Sequence, residues 1–408
     1  MRNKDFKIFC GILLKYTGSD STVVIPKSVK YIAPWAFKKH NNIKELVMES
    51  GRIGFSAFEY CKELTTVKLG EGVTSIGWYA FNRCKNIQEL TIENATINDC
   101  AFECCEGLTK LKLGKGVNMR GFCTFNGCSN LKDIVIECEK VGDFAFSNCT
   151  GLTDESIKLG SGVKKIGDCA FDRCTGLTNI EFIKDVEKIS KSAFSHCTNL
   201  TEITIENGEI SKSAFSDCTG LTSVKIGNGV KKIGESAFWG CKNLKEVTIE
   251  NGEIGKYAFH ECTGLTSVKI GNGVKKIGDW AFSGYKNLKE VTIENSEIGK
   301  YAFHECTGLT SVKIGNGVTK IGDHAFWGCK SLKEVTIENG EIGECAFWEC
   351  TGLKIVKIGK GVKKMGESAF WLADMDTKVY CEASEQPSTW EAVILGEKVT
   401  WGVDISKV

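Results

Sequence analysis

Apolar and polar residues alternate in short bursts along this chain, and the bursts recur. In the stretch Leu265-Thr266-Ser267-Val268-Lys269-Ile270-Gly271-Asn272-Gly273, Val268 and Ile270 alternate with Ser267, Lys269 and Gly271. Period two with β-branched residues predicts a strand with one buried face. Gly271 and Gly273 flank a predicted turn, where glycine supplies backbone angles that other residues resist. Val274 and Ile277 begin the return, and Ala281-Phe282 closes the unit in the core. A shorter unit follows: Leu288-Lys289-Glu290-Val291-Thr292-Ile293, then Glu297-Ile298-Gly299 and Ala302-Phe303.

The closing Phe marks the period. It stands at Phe37, Phe58, Phe81, Phe102, Phe125, Phe146, Phe171, Phe194, Phe215, Phe238, Phe259, Phe282, Phe303, Phe326, Phe347 and Phe370, mostly 21 or 23 residues apart. A fixed period of this size means one small unit stacked on copies of itself. Each unit offers about six apolar side chains, each worth about 1.5–3 kcal/mol when buried, and only a stacked neighbour can bury them. Parallel pairing at about 4.8 Å per unit makes sixteen units a rod of roughly 75 Å. The predicted fold is an α/β-type repeat solenoid: a curved rod with a parallel concave sheet, short turns, and helical or 3-10 segments on the other side. Residues 1–30 are expected to form an N-terminal strand cap, 31–372 the solenoid and 373–408 a C-terminal cap, since terminal coils need shielding. The alternation slips once, between Phe146 and Phe171, where Asp154-Glu155-Ser156 lengthens a link and predicts a local bulge.

The motifs Leu-x-x-Val-x-Ile, Gly-Val-x-x-Ile-Gly and Ala-Phe-x-x-Cys resemble those of the BspA-like (Treponema-type) leucine-rich-repeat surface proteins of bacteria. The tail is similar to their closing segment: Val379-Tyr380-Cys381-Glu382-Ala383, Gln386-Pro387-Ser388, Trp390 and Trp401-Gly402. The resemblance covers nearly the whole chain. It implies a leucine-rich-repeat fold and a non-enzymatic adhesin or binding protein, at the cell surface or secreted. Its implied partners are a protein or glycan ligand, host matrix or another cell surface. A structural or self-associating scaffold is the alternative. Arg2, Lys4 and Lys7 precede an apolar stretch over 8–14 that imitates a signal peptide, but it is short and lacks an Ala-x-Ala-like exit. It reads as a first strand.

A net charge of +1, evenly spread, gives no reason to expect a nucleic-acid partner. No apolar run approaches the roughly 18 residues of a spanning helix. Thirteen of the 21 cysteines stand three residues after the repeat Phe. His40, Tyr285 and Ala373 fill the same slot elsewhere, so a thiol is not obligatory. Stacked side chains point in parallel, which favours core packing over disulfides. Finger-type spacing is missing, so no metal site is predicted. Cys104, beside ladder Cys105, is the thiol expected at the surface, and a set of free thiols favours a reducing or anaerobic setting. Gly227-x-Gly229 and its copies read as turns, not phosphate loops. Any catalytic constellation should be singular, whereas nearly every residue type here recurs, so no enzyme and no cofactor is predicted.

Two surfaces compete for a partner. The strand face carries Lys68, Lys112, Lys225, Lys269, Lys313 and Lys357, alternating with Thr91, Thr204, Thr248, Thr292 and Thr336 and flanked by carboxylates. Pairs of opposite charge on adjacent strands stabilise the face and neutralise it. The second surface is aromatic. The position after the repeat Phe holds Trp239, His260, Ser283, His304, Trp327, Trp348 and Trp371, and the position two before it holds Tyr257, Trp280, Tyr301 and His324. Three residues apart, these positions share a side in a short helical turn. Residues 250–293 and 294–337 differ at six of 44 positions, three of them Trp280/His324, Ser283/Trp327 and Tyr285/Cys329. The rings are candidates for ligand binding, Trp and Tyr being frequent hot spots, or for packing between turns.

Overall fold

The computed structural model describes residues 5–153, 157–180, 185–371, 376–390 and 399–408, so the link at Asp154-Glu155-Ser156 lies outside the described residues. Two compact units, Met1–Leu200 and Thr201–Val408, divide the chain.

In the first unit, Phe6–Phe9 and Ile12–Tyr16 form an antiparallel hairpin. Its turn residues Cys10 and Gly11 both have positive φ, +46° and +74°, as a tight hairpin turn requires. The stretch read as one strand is therefore two. Every later strand pairing described in this unit is parallel: Ile12–Tyr16 passes to Tyr31–Ile32, then to Glu45–Ile53 and Thr66–Ile76. In the second unit, Glu202–Ile210, Ser223–Ile233, Glu246–Ile254 and Ser267–Ile277 stack in the same way. Their register is set by the buried face, with Val224 opposite Val247 and Ile226 opposite Ile249, since a one-residue slip would turn those side chains outward.

All sixteen repeat Phe side chains are buried. In the first unit the rings from Phe37 to Phe194 lie 4.6–5.5 Å apart, centroid to centroid. From Phe215 to Phe370 in the second unit the spacing is 4.9–5.4 Å. Tyr16 of the hairpin stacks on Phe37 at 5.2 Å and so takes the Phe place at that end.

The helical or 3-10 segments expected opposite the sheet are absent from the described coils, so the fold is a β-solenoid and not α/β. A 3-10 turn, Ile405–Lys407, follows the last strand. The cause lies in the backbone around each Phe. The residue two before it has φ between +49° and +59° in all sixteen coils, and is never glycine. Alternate amides then turn outward to the next coil. Tyr301, Phe303 and Glu305 donate to the carbonyls of Asp323, Ala325 and Trp327, at 3.1, 2.7 and 2.7 Å. His304 and Cys306, between them, donate back to Tyr301 and Phe303. A helix would consume all these donors internally, whereas here half of them bind one coil to the next. Each left-handed residue costs about 1–2 kcal/mol, offset by main-chain hydrogen bonds that this geometry alone permits.

Glycine works by a different route than the turn reading supposed. Gly271 and Gly273 do not have positive φ; instead a Cβ on either would stand 2.8 and 2.7 Å from the carbonyl oxygen of Glu250 in the preceding coil. Close approach, not backbone freedom, excludes a side chain there.

Candidate functional site

The aromatic columns sit on the turn that replaces the helix. The amide of His304 donates to the carbonyl of Tyr301, that of Trp327 to His324 and that of His260 to Tyr257, at 3.0–3.2 Å. This closes the three-residue step between the two columns, so the rings meet although the segment is not helical. Tyr257, Trp280, Tyr301 and His324 form one stack, with centroids 6.4, 4.3 and 4.8 Å apart. Across the columns Trp280 meets His304 edge-on at 5.1 Å, and Tyr257 meets His260 at 5.5 Å. Trp327 touches His304, His324 and Tyr301, then continues to Trp348 and Trp371, each step 6.3 Å.

Nine of the ten candidate residues thus form one ring network. Trp239 is half-buried and makes no ring contact among the described residues. Ser283, the gap in the column, is buried and hydrogen-bonds the Nδ1 of His260 at 3.0 Å. Every ring in the network is partly exposed, Trp371 the most at 38%. The rings therefore pack on one another and also present an outer face. Burial pushes the pKa of His260 and His304 below the ordinary imidazole value, which favours neutral rings at pH 7. His324 has a buried Nδ1 without a partner among the described residues.

The cysteine slot has a role beyond filling space. Twelve ladder thiols donate to the carbonyl of the Phe in the preceding coil, at 3.0–3.4 Å; Cys61 to Phe37 and Cys262 to Phe238 are examples. His40 Nε2 reaches the Tyr16 carbonyl at 3.2 Å, and the Tyr285 hydroxyl donates to Phe259. His40 and Tyr285 can both donate a hydrogen, as the sequence shows, whereas Ala373, the third substitute, cannot and lies outside the described residues. All 21 thiols are free. Burial pushes Cys61, Cys149, Cys197 and Cys306 up to about 12, which keeps them protonated. The exposed thiol is Cys10, while Cys104 is half-buried.

Other chemistry is sparse. Ser195 and Asp172 both approach the same ring nitrogen of His196, Nδ1, at 2.9 and 3.2 Å, so the ring cannot relay a proton between them. No cluster of three metal-ligating side chains occurs among the described residues. On the strand face Lys68 pairs with Glu45 at 2.7 Å, Lys112 with Glu93 at 2.9 Å and Lys357 with Glu334 at 2.9 Å. Pairs near solvent of this kind are worth little and offset charge along the face. Among the described residues, no helix is long and apolar enough to cross a membrane.

One group of rings escaped the sequence reading. Trp35, Trp78 and Phe122 on the first unit are 54–56% exposed. The position three before the repeat Phe holds Phe55, Trp78 and Phe122 among Asp99, Asp143, Asp168 and Lys191 in the first unit, and Lys256, Asp279, Lys300 and Asp323 in the second. That column carries Trp78 and Phe122, whereas Trp35 stands two before Phe37, in the column of Tyr257 and Trp280.

Comparison with curated protein sequences gave no match. Among solved structures, the chain is similar to a leucine-rich repeat protein from Bacteroides ovatus, with 26% identity over 88% of this chain and 83% of that one and a TM-score of 0.59. A leucine-rich cell surface protein from Faecalibacterium prausnitzii matches at 24% identity over 85% and 90%, with a TM-score of 0.37. The family model described as the BspA type leucine rich repeat region matches residues 13–132, 51–158, 139–252 and 252–376. With nearly its full length covered by that pattern, the chain belongs to the BspA-type leucine-rich-repeat family.

Proposed function

We propose that this is a non-catalytic binding protein that engages a protein or glycan ligand through the aromatic face of its second unit, in an adhesive role at a cell surface. Leucine-rich-repeat proteins typically mediate protein binding, and that membership supports the class of function. The observation that carries the site is the stack of Trp280 on Tyr301 and Tyr301 on His324, at 4.3 and 4.8 Å, continued by Trp327 and Trp348. Rings held in place by one another lose little freedom on binding, which favours affinity. Half-exposed Trp and Tyr combine a large apolar area with a polar edge.

The test is a screen of the intact chain against arrayed proteins and glycans, repeated with Trp327→Ser/Trp348→Ser. Loss of the retained partner with the fold intact is the expected result. Trp239→Ser, outside the ring network, should bind normally. Equal binding by all three proteins would remove the aromatic face from the account. Concentration-dependent assembly with no retained partner would favour a self-associating scaffold.

A further inference from the structure

We propose a second binding site, on the first unit, for an acidic saccharide: a cleft between Arg52, Phe55 and Trp78. It has a volume of about 340 Å³, at the small end for ligand pockets. It opens where the strands Glu45–Ile53 and Thr66–Ile76 end, over the backbone of Gly54 and Gly77. Tyr31, Ser75 and Asn98 complete its wall.

The aromatic walls are not required by the fold. A cleft at the corresponding corner of the second unit, also about 340 Å³, is lined by Lys320, Asp323, Glu341, Glu344, Lys364 and Glu367. The same backbone corner accepts charged side chains there, and Lys300 and Asp323 even pair at 2.8 Å. On the first unit Trp78 is 55% exposed, and Trp35 beside the cleft 56%. Phe55 is fixed edge-on between Trp35 at 5.4 Å and Tyr79 at 5.9 Å. Scattered exposed rings are ordinary, but a braced group around one cleft marks an interaction site.

Charge narrows the ligand. Arg52 is the single charged side chain in the wall. It is exposed, lies over the Tyr31 ring at 5.6 Å, and forms no ion pair among the described residues. A guanidinium held this way takes a carboxylate by two parallel hydrogen bonds.

Backbone bonding argues against an extended peptide. The amides of Gly54, Gly77 and Asn98 donate to the carbonyls of Ile32, Ile53 and Ile76 at 2.8–3.1 Å, so the cleft offers no edge to pair with. What remains suits a sugar ring. Its C–H face can lie on Trp78, its hydroxyls can meet Ser75 and Asn98, and its carboxylate can reach Arg52. Asn98 Nδ2 already donates to the Ile76 carbonyl at 2.8 Å, which orients the amide.

The test titrates the full chain, by tryptophan fluorescence and calorimetry, with three probes. They are a hexasaccharide alternating glucuronic acid and N-acetylglucosamine, a sialic-acid-terminated trisaccharide, and a neutral N-acetylglucosamine hexamer. At least one acidic probe should bind. Trp78→Ala and Arg52→Gln should each weaken it by about tenfold or more, with unchanged thermal unfolding. The neutral hexamer should bind more weakly and ignore Arg52→Gln. Trp327→Ser/Trp348→Ser should leave the acidic probe unaffected, which separates this site from the proposed aromatic face. Three results would each overturn the proposal: no acidic probe binding at millimolar concentration, neutral and acidic probes binding alike, or Arg52-dependent capture of an acidic peptide in preference to both acidic sugars.

Discussion

The hydroxyl of Tyr285 donates to the carbonyl of Phe259, the place where cysteine thiols donate in the coils on either side: Cys262 to Phe238 and Cys306 to Phe282. In the described coils the slot therefore holds a hydrogen donor of adaptable size. Cys262→Ala removes the donor and opens a small cavity, for a combined cost of about 1–2 kcal/mol. Cys262→Ser keeps a donor and should cost less. Chemical denaturation of the two variants checks this, and equal losses would reduce the slot to simple space filling.

Phe259 is stacked 5.0 Å from Phe238 and 5.1 Å from Phe282. Phe259→Ala should cost about 3–5 kcal/mol by leaving a cavity in that column. Hydrogen exchange should accelerate in both flanking coils, because each lost one face of its packing.

Thiol reactivity should divide sharply. Cys10 is exposed, and Cys100, Cys104, Cys123 and Cys169 are half-buried; the other cysteines are buried. An aromatic disulfide reagent should find at most these five in the native protein at pH 8, and all 21 after unfolding. Fast reaction of ladder thiols in the folded state would contradict their burial.

Acid should loosen the aromatic face. His260 and His304 have lowered pKa values caused by burial, so between the folded value and the ordinary imidazole value of about 6.5 the unfolded chain binds more protons. Their contribution to stability is complete above that ordinary value and declines as pH falls below it. His304→Phe should flatten the slope of stability against pH between 7 and 5. An unchanged slope would place the acid sensitivity elsewhere.

Backbone strain and crowding predict opposite signs for two small changes. Ser236 has φ +54°, so Ser236→Gly should stabilise, by up to about 1 kcal/mol once the added freedom of the unfolded chain is deducted. Gly273→Ala should destabilise, because its Cβ would meet a backbone oxygen at 2.7 Å. Thermal unfolding of both variants decides the point.

Much of the fold is legible in the period of Phe and in the alternation around Val268 and Ile270, because buried positions repeat more strictly than anything else. The back of each coil is not. Ser, Tyr, Trp, Cys, His and Phe occupy the left-handed position two before the repeat Phe, and none of them advertises positive φ, so a three-residue spacing read as helical. The meeting of Tyr301 with His304 was still foreseeable, since a turn and a helix both bring residues three apart together. Trp78 and Phe122 give no repeat signal because their column is mostly charged, with Asp99, Asp143 and Asp168 in the same unit.

The left-handed position carries one more implication. Its side chain is at least partly exposed in fourteen of the sixteen coils, Ser56 and Cys345 being buried. Fourteen sites of this kind can be rewritten one at a time without disturbing what lies beneath. A lineage could exchange one surface character for another, coil by coil, while the scaffold stayed the same, and the contrast between His324 and Trp280 in otherwise near-identical repeats is a trace of that freedom.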